Sequence, residues 1–265
     1  MKVYVSVDIE GVAGITHWDE ADKRHPDYAE FREAMIGEAV AAVEGALAAG
    51  ATEVWVKDAH DSGRNLVATA LPAGVRLLRA WSGHPLCMVE GLDGSFDAVV
   101  MIGYHARAGS EANALAHTME PRLTRIAING VPVSEFTIHA LASSMLGVPT
   151  VFVSGDAGLM EEVAAANPAI ERCPVKQGLG AATISMTPAE ATAAIRSGVA
   201  RALHGDRAAM LLALPPAFDV DVTYGDPASA YRMQWYPGAS HVGDRTVRFT
   251  TPDYFEVLRF LRFTT

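Results

Sequence analysis

Phe-Asp-Ala-Val-Val-Met-Ile-Gly, residues 96–103, is the most apolar stretch of the chain. An uninterrupted apolar run of this length is typical of a strand that is covered on both faces. Further strands are predicted at residues 2–7, 53–56 and 149–154, with a helix at residues 28–49 between the first two. Strands that alternate with helices predict an α/β fold with a largely parallel sheet and flanking helices.

The C-terminal part of the chain changes character after about residue 175. Its predicted elements are a helix at 188–203, strands at 211–214, 218–224 and 246–250, and a final helix at 253–262. These strands suit an antiparallel layer. We therefore expect an α/β part at residues 1–175 and a smaller α+β part at residues 176–265. The two parts form either two domains or subdivisions of one domain.

The composition argues against two classes of function. The 265 residues include 21 Lys and Arg against 31 Asp and Glu, which gives a formal net charge of −10. A protein that binds the nucleic-acid backbone needs a basic face, and a polybasic membrane-surface protein needs clustered Lys and Arg. We therefore expect no nucleic-acid partner and no membrane partner.

The N-terminus and the cysteines indicate a cytoplasmic protein. The first residues alternate apolar and polar side chains and reach an acid at Asp8, unlike a signal peptide. No apolar run approaches the ~18 residues of a membrane span. Cys87 and Cys173 have no metal-type spacing, so packed and reduced thiols are expected.

Two acids follow the first predicted strand. Asp8 and Glu10 are two positions apart, so in a continuing strand both side chains point to the same face. Ligands in open α/β sheets bind at the carboxyl ends of the strands. A ligand-binding pair is therefore favoured over the alternative, a pair of turn or capping acids.

A histidine follows the predicted strand at residues 53–56, and another follows the predicted strand at residues 96–103. His60 stands between Asp58 and Asp61, which suits a metal ligand supported by carboxylates and equally a capped surface loop. His105 ends the most apolar strand, where it is either a ligand or base in a cleft or a satisfied core histidine. Since three strands end in such residues at one edge of one sheet, we predict that they form one site.

Two more candidate site residues lie between the predicted strands at residues 96–103 and 149–154. His117 stands in Ala116-His-Thr-Met119. Glu135 stands where a hairpin at residues 125–133, with Asn129-Gly130 at its turn, passes into a helix at 136–146. Taken alone, Glu135 would suit the N-terminus of that helix.

The combined set contains three carboxylates and two histidines, with His117 as a spare histidine. It suits one or two borderline divalent ions, zinc first, and a carboxylate such as Asp8 can bridge two ions about 3.5–4 Å apart. The phosphate-binding loop, the dinucleotide-binding motif, the Gly-x-Ser-x-Gly elbow and the His-Glu-x-x-His helix are absent from the sequence.

Six motifs occur in a recognisable order across residues 1–155. They are Val5-Ser-Val-Asp-Ile-Glu-Gly11, Lys57-Asp-Ala-His60, Met88-Val-Glu-Gly-Leu-Asp93, Gly103-Tyr-His-Ala-Arg107, Ala116-His-Thr-Met119 and Val131-Pro-Val-Ser-Glu135. In order and spacing they resemble the D-aminopeptidase family of zinc metallopeptidases, of the dipeptide-transport-associated type. The resemblance implies a site with two Zn²⁺ ions, with Asp8 as the bridge. The implied ligands are Asp8, Glu10, His60, His105 and Glu135.

The same resemblance implies a catalytic role for His117, as nucleophile or as acid/base. We favour the acid/base role, since a metal-activated water already supplies a nucleophile. An acid such as Asp58 is a candidate for binding the free amine of the substrate. The resemblance also implies a cytoplasmic homo-oligomer, a decameric ring, that releases N-terminal D-amino acids from short peptides.

Three hypotheses about function follow. The first is a dizinc aminopeptidase acting on short peptides, including those with D-residues. The second is a dinuclear metal amidase that has the same site but acts on a non-peptide amide or a modified amino acid. The third is a catalytically inactive metal- or peptide-binding protein, which is disfavoured because the ligand set and His117 are both present.

Overall fold

The computed structural model covers residues 1–265 and contains twelve strands in two sheets. In chain order the strands are β1 (Lys2–Val7), β2 (Glu53–Asp58), β3 (Val75–Leu78), β4 (Ala98–Tyr104), β5 (Leu123–Ile128), β6 (Val131–Pro132), β7 (Thr150–Asp156), β8 (Glu171–Leu179), β9 (Ala182–Ser185), β10 (Phe218–Tyr224), β11 (Ala239–Gly243) and β12 (Thr246–Thr251). The α-helices are α1 (Trp18–Ala21), α2 (Tyr28–Ala48), α3 (Glu135–Met145), α4 (Ala157–Ala166), α5 (Pro188–His204), α6 (Pro227–Met233) and α7 (Tyr254–Thr264).

The first sheet, sheet A, has seven strands in the order β3-β2-β1-β4-β7-β8-β9. All its neighbours pair in parallel except β8 and β9, so the predicted α/β class with a largely parallel sheet is confirmed. Every residue of β4 is buried, as its apolar run predicts. The strand order reverses at β1, because β2 lies on one side of it and β4 on the other. Ligands bind at the carboxyl ends of the strands at such a point.

Helices α2 and α5 pack together against sheet A. Met35, Ala39 and Val43 recur every four residues along α2, and all three are fully buried. The two helices come so close that a Cβ at Gly45 would lie 2.5 Å from the Arg196 carbonyl oxygen. This helical layer covers the strands that end in the candidate site residues.

The second sheet, sheet B, is antiparallel, with the order β11-β12-β10-β5-β6. Phe218, Val220 and Val222 alternate into the core along β10, as expected for a sheet with one exposed face. Asn129 and Gly130 both have positive φ, 52° and 81°, in the predicted turn between β5 and β6. This hairpin leads directly into α3 and so fixes the position of its first residue.

One predicted strand is wrong. The apolar run at residues 211–214 is irregular, because its backbone follows the 3₁₀ turn Arg207–Met210 and bonds to a side chain of α3 instead of to a strand. The Leu212 N–H donates to Ser144 Oγ at 2.9 Å, while Leu211 and Leu214 stay exposed.

The suggested boundary near residue 175 lies within β8, and sheet B takes strands from both sides of it. The division of the chain into domains therefore stays a prediction. No helix combines the length and apolar character that crossing a membrane requires.

Candidate metal centre

The loops after β1 and β4 are held together by their backbones. The Asp8 N–H donates to the Ile102 carbonyl and the Gly11 N–H to the Gly103 carbonyl, both at 2.8 Å. A Cβ at Gly11 would lie 1.8 Å from the Tyr104 carbonyl oxygen, so only glycine permits this approach. The close contact brings the residues that follow the two strands to one place.

Asp8, Glu10 and His60 meet at this edge of sheet A. His60 Nδ1 lies 3.3 Å from Asp8 Oδ1 and 3.1 Å from Glu10 Oε2. All three side chains are more than nine-tenths buried. The two predicted acids therefore do point to one face, and the histidine from the neighbouring strand faces them.

His105, His117 and Glu135 complete the cluster on the other side of Asp8. His105 Nε2 lies 3.6 Å from Asp8 Oδ2 and 3.4 Å from Glu135 Oε2, and His117 Nε2 lies 3.6 Å from Glu135 Oε1. The rings of His105 and His117 stack with centroids 4.3 Å apart. Potential ligand atoms of His105, His117 and Glu135 lie within 4.8 Å of one another, as do those of Asp8, Glu10 and His105.

Each histidine is oriented by a backbone carbonyl. His60 Nε2 contacts the Ala21 carbonyl oxygen at 2.9 Å, while Nδ1 of His105 and Nδ1 of His117 contact the carbonyls of Ala106 and Leu115, each at 3.0 Å. If these nitrogens donate, the other ring nitrogen is left as a lone pair that faces the carboxylates. Metal-ligating histidines are held in this way.

Two buried polar atoms of the cluster form no hydrogen bond, although a side-chain atom of the cluster lies 3.1 Å from one and 3.4 Å from the other. They are Glu10 Oε2 and His105 Nε2. Unpaired buried polar atoms are costly, so they indicate a missing partner. A cation accepts electron pairs from both a carboxylate oxygen and an imidazole nitrogen, and this mixed donor set without cysteine suits zinc. The residues therefore fit a zinc site.

The charges of the cluster perturb one another strongly. Burial acts to raise the pKa of Glu135, but His105 and His117 outweigh it and lower the pKa to about 2. Burial acts to lower the pKa of His105, but Glu135, Glu10 and Asp8 outweigh it and raise the pKa to about 10. Burial and then Glu10 raise the pKa of Asp8. Without metal, the cluster thus holds protons that a bound metal ion would displace.

A cleft of about 470 Å³ opens above the cluster, within the usual size range of small-molecule sites. Asp8, Glu10, His60, His117 and Glu135 line it, whereas His105 lies beneath them and is fully buried. The indole rings of two tryptophans also line the cleft, Trp18 of α1 and Trp81 in the segment after β3. The cleft gives a small substrate access to the cluster.

Asp58 does not reach this cleft. Its Oδ2 accepts hydrogen bonds from the backbone N–H groups of Asn65 and Leu66, and its Oδ1 accepts one from Asn65 Nδ2 at 2.8 Å. The side chain is fully buried. This geometry does not support the predicted substrate-binding role, because Asp58 instead fixes the loop that carries His60. The acid of this loop that lines the cleft is Asp61.

The comparisons with known proteins agree with one another. The family model of peptidase M55, D-aminopeptidase, matches residues 1–263. The chain belongs to this family. A D-aminopeptidase of Bacillus subtilis (strain 168) is 30% identical over 258 residues, which cover 97% of this chain and 93% of the relative. Membership confirms the resemblance of the six motifs and the predicted enzyme class, a hydrolase of the metallo-aminopeptidase type.

A solved structure extends the similarity to the whole fold. It is described as the Zn-dependent D-aminopeptidase DppA from Bacillus subtilis, a self-compartmentalizing protease. The match has a TM-score of 0.94 at 28% identity and covers 100% of this chain and 96% of that chain.

A buried polar network supports the Asp8–Gly14 loop in this D-aminopeptidase family member. Lys176 Nζ donates to the carbonyls of Glu10 and Ile15, and Asn113 Nδ2 donates to the Glu10 carbonyl at 3.1 Å. Asp156 joins the network to the loop after β4. Its Oδ2 accepts one hydrogen bond from Asn113 Nδ2 and one from the Ala106 N–H.

The residues of this network carry no pattern in the sequence that predicts their role. Lys176 and Glu10 are 166 positions apart, and a lysine in a strand of mixed polarity gives no sign that it will be buried. The one available signal is local: Asp156 is the N-cap of α4 at the end of an apolar strand.

Proposed function

We propose that the protein is a zinc-dependent aminopeptidase that releases N-terminal residues, D-amino acids among them, from short peptides. The observation that carries this proposal is the buried cluster of carboxylates and histidines under an open cleft, with two unpartnered donor atoms. The relative described as a Zn-dependent D-aminopeptidase supports it.

We propose that two zinc ions bind per chain. The proposed ligands are Asp8, Glu10, His60, His105 and Glu135. Asp8 is the proposed bridge, because one of its oxygens faces His60 and the other faces His105. When bound, zinc supplies a Lewis acid that polarises a carbonyl group and lowers the pKa of water.

His117 is the proposed acid/base. It keeps some solvent access at the cleft wall, whereas His105 has none. Trp18 packs edge-to-face with its ring and His105 stacks on it, with centroid distances of 5.3 and 4.3 Å. A neutral imidazole oriented by the Leu115 carbonyl presents Nε2 for accepting a proton and returning it to the leaving amine.

We also propose a cytoplasmic location and assembly into a ring of identical subunits, a decamer. The protein of the similar structure is a self-compartmentalizing protease, and this supports assembly of identical subunits. Tyr231, Trp235 and Phe263 are exposed apolar side chains of the kind that subunit contacts cover. Light scattering on a size-exclusion column tests the decamer: a monomer would contradict it.

The experiment that tests the function measures metal and activity in one preparation. Zinc per chain is determined on protein purified without chelator, and cleavage is followed with the p-nitroanilides of D-Ala and L-Ala. About two zinc ions and selective cleavage of the D-Ala substrate are expected. Zinc without cleavage of either anilide or of simple dipeptides would move the substrate to a non-peptide amide. A protein that binds no zinc after resupply would contradict the proposal.

A further inference from the structure

The cleft is unbalanced in charge. Two arginines line it, Arg24 and Arg262. Seven carboxylates line it as well: Asp8, Glu10, Asp22, Asp61, Glu90, Glu120 and Glu135. Asp8, Glu10 and Glu135 are proposed zinc ligands, and the other four acids stay free of metal. Away from the zinc ions, an anionic group of a substrate must therefore lie at one of the few cationic side chains.

The two arginines differ in how they are paired. Arg24 Nη2 lies 2.8 Å from Asp22 Oδ2, and Arg24 Nε lies 3.0 Å from Asp22 Oδ1. Its side chain is 89% exposed. Arg262 makes no salt bridge, and its hydrogen bond is a long one, from Nε to the Gly83 carbonyl at 3.4 Å. Arg262 is thus the arginine of the cleft that forms no ion pair with an acidic side chain.

The position of Arg262 is fixed by its helix. α7 packs into the core through Val257, Leu258 and Leu261, so its last turn is anchored at the mouth of the cleft. The guanidinium lies beside Gly83, where a Cβ would be 3.8 Å from Arg262 Nη2. Arg262 also lines a small neighbouring cavity together with Cys87, which itself lines the main cleft. The guanidinium N–H groups of Arg262 therefore border the cleft that leads to the cluster.

We propose that Arg262 binds a substrate carboxylate on the leaving-group side of the scissile bond, and that this carboxylate is the one that ends a short peptide. The proposal rests on the aminopeptidase function proposed above. A short peptide at neutral pH carries an ammonium group at one end and a carboxylate at the other. The ammonium end suits the cleft acids that are not zinc ligands, such as Asp61, and the carboxylate end suits a planar guanidinium with parallel donors.

This arrangement selects by length and by end group. On this proposal a short peptide lies along the cleft, with its N-terminal residue at the cluster and its terminal carboxylate on Arg262. A peptide amide or an anilide lacks that carboxylate and loses the interaction. The protein should therefore prefer free short peptides to their amides.

The test uses the zinc-loaded protein and three matched substrates: D-Ala-Gly, D-Ala-glycinamide, and the α-amide of D-Ala-aspartic acid, which lacks the terminal carboxylate but keeps a side-chain carboxylate. R262Q should lower kcat/KM for D-Ala-Gly by about 10- to 100-fold, chiefly through KM, because a charge-assisted hydrogen bond is lost. The change for D-Ala-glycinamide should be less than about 3-fold. R262K should recover part of the loss, since it keeps the charge but not the fork.

Arg259→Gln is the matched control on the same helix, because Arg259 is solvent-exposed, pairs with Glu256 and does not line the cleft. Equal losses on the peptide and its amide, or no loss on either, would overturn the proposal. If the side-chain carboxylate substrate depends on Arg262 while D-Ala-Gly does not, the terminal-carboxylate assignment is overturned.

The failure of the aminopeptidase function is distinguishable from the failure of this proposal. Wild-type protein that cleaves none of the three substrates would contradict the function. Calorimetry on the same zinc-loaded protein then measures binding of uncleaved D-Ala-Gly. A Kd that rises in R262Q but not in R259Q would support the Arg262 site, and equal Kd values in all three proteins would overturn it.

Discussion

The two sheets differ in how their charged side chains are stabilised. At the carboxyl edge of sheet A, Asp8, Glu10 and Glu135 are buried within a few ångströms of histidines. In sheet B, Asp221 faces Arg248 across β10 and β12, with two parallel contacts of 2.7 Å. That arginine is partly exposed, so water and its partner both stabilise its charge.

This difference separates a structural charge from a functional one. The pair in sheet B satisfies itself, and exposed pairs of this kind contribute little to stability. The cluster in sheet A buries more charge than its own hydrogen bonds satisfy, which is costly unless another group joins it. The variants below change one region and use a matched residue elsewhere as the control.

The largest effect is expected for Asp8→Asn. The amide keeps the volume but loses the negative charge that faces His60 and His105. Zinc content should fall to one ion or fewer per chain, and peptidase turnover should fall by at least about 1,000-fold. Metal analysis and kinetics check both. Asp221→Asn in sheet B should change neither, and a D8N variant with full zinc content would contradict the proposed bridge.

His117→Ala should separate catalysis from metal binding. Loss of a positioned acid/base typically lowers turnover by about 100- to 10,000-fold. Zinc content should stay at the wild-type value, because His117 is not among the five proposed ligands. His241→Ala is the control, since His241 is exposed on β11 of sheet B. Unchanged turnover would refute the acid/base role, whereas lost zinc would make His117 a ligand.

Much of the fold could be predicted from the sequence because its signals are local. The apolar run of β4 and the Asn129-Gly130 turn each specify their own structure. β8 and α1 were not predicted. β8 mixes charged and apolar residues and pairs with β7 through contacts distant in sequence, and α1 has only four residues. The run at residues 211–214 shows the opposite error, an apolar segment that packs without pairing.

In the candidate site, too, local signals could be predicted from the sequence and contacts between distant residues could not. Side chains at strand ends, such as Asp8 and His105, could be brought together by topology alone, because parallel strands share an edge. The role of Asp58 could not, because it depends on a loop that folds back through Asn65. The same holds for Lys176, whose burial depends on contacts across 166 positions.

Lys176→Met tests whether the buried network positions the metal site. The variant removes the donor to the Glu10 carbonyl and to the Ile15 carbonyl, which Lys176 Nζ contacts at 2.7 Å. The zinc Kd should rise by about 10- to 100-fold, as is typical when a group that orients a ligand is lost. A competitive zinc titration measures this change, and excess zinc should restore turnover.

Lys23→Met is the control for this titration, because Lys23 is exposed. Lys176→Arg should keep part of the affinity, since it still donates to a carbonyl. A variant that loses thermal stability but keeps the wild-type zinc Kd would show that Lys176 supports the fold and not the site.

The smallest effect is expected for Glu38→Gln and appears in the pH dependence of stability. Glu38 Oε1 accepts from the Ala13 N–H at 2.8 Å, but Oε2 is buried without a partner. Burial raises the pKa of Glu38 from 4.5 to about 7. The folded state therefore binds the proton more tightly than the unfolded state. The free energy of unfolding should fall as pH rises from about 4.5 to 7, by up to about 3 kcal/mol.

Glutamine cannot ionise, so Glu38→Gln should remove this contribution and gain stability relative to wild type at pH 8 but not at pH 4.5. Urea unfolding at both pH values measures the difference. Glu44→Gln on the same helix is the control, because the Glu44 side chain is 42% exposed and pairs with Arg196. If the free energy of unfolding depends on pH in the same way for E38Q and wild type, the buried charge of Glu38 does not destabilise the folded state. The uncompensated charge near sheet A would then be confined to the cluster that binds metal.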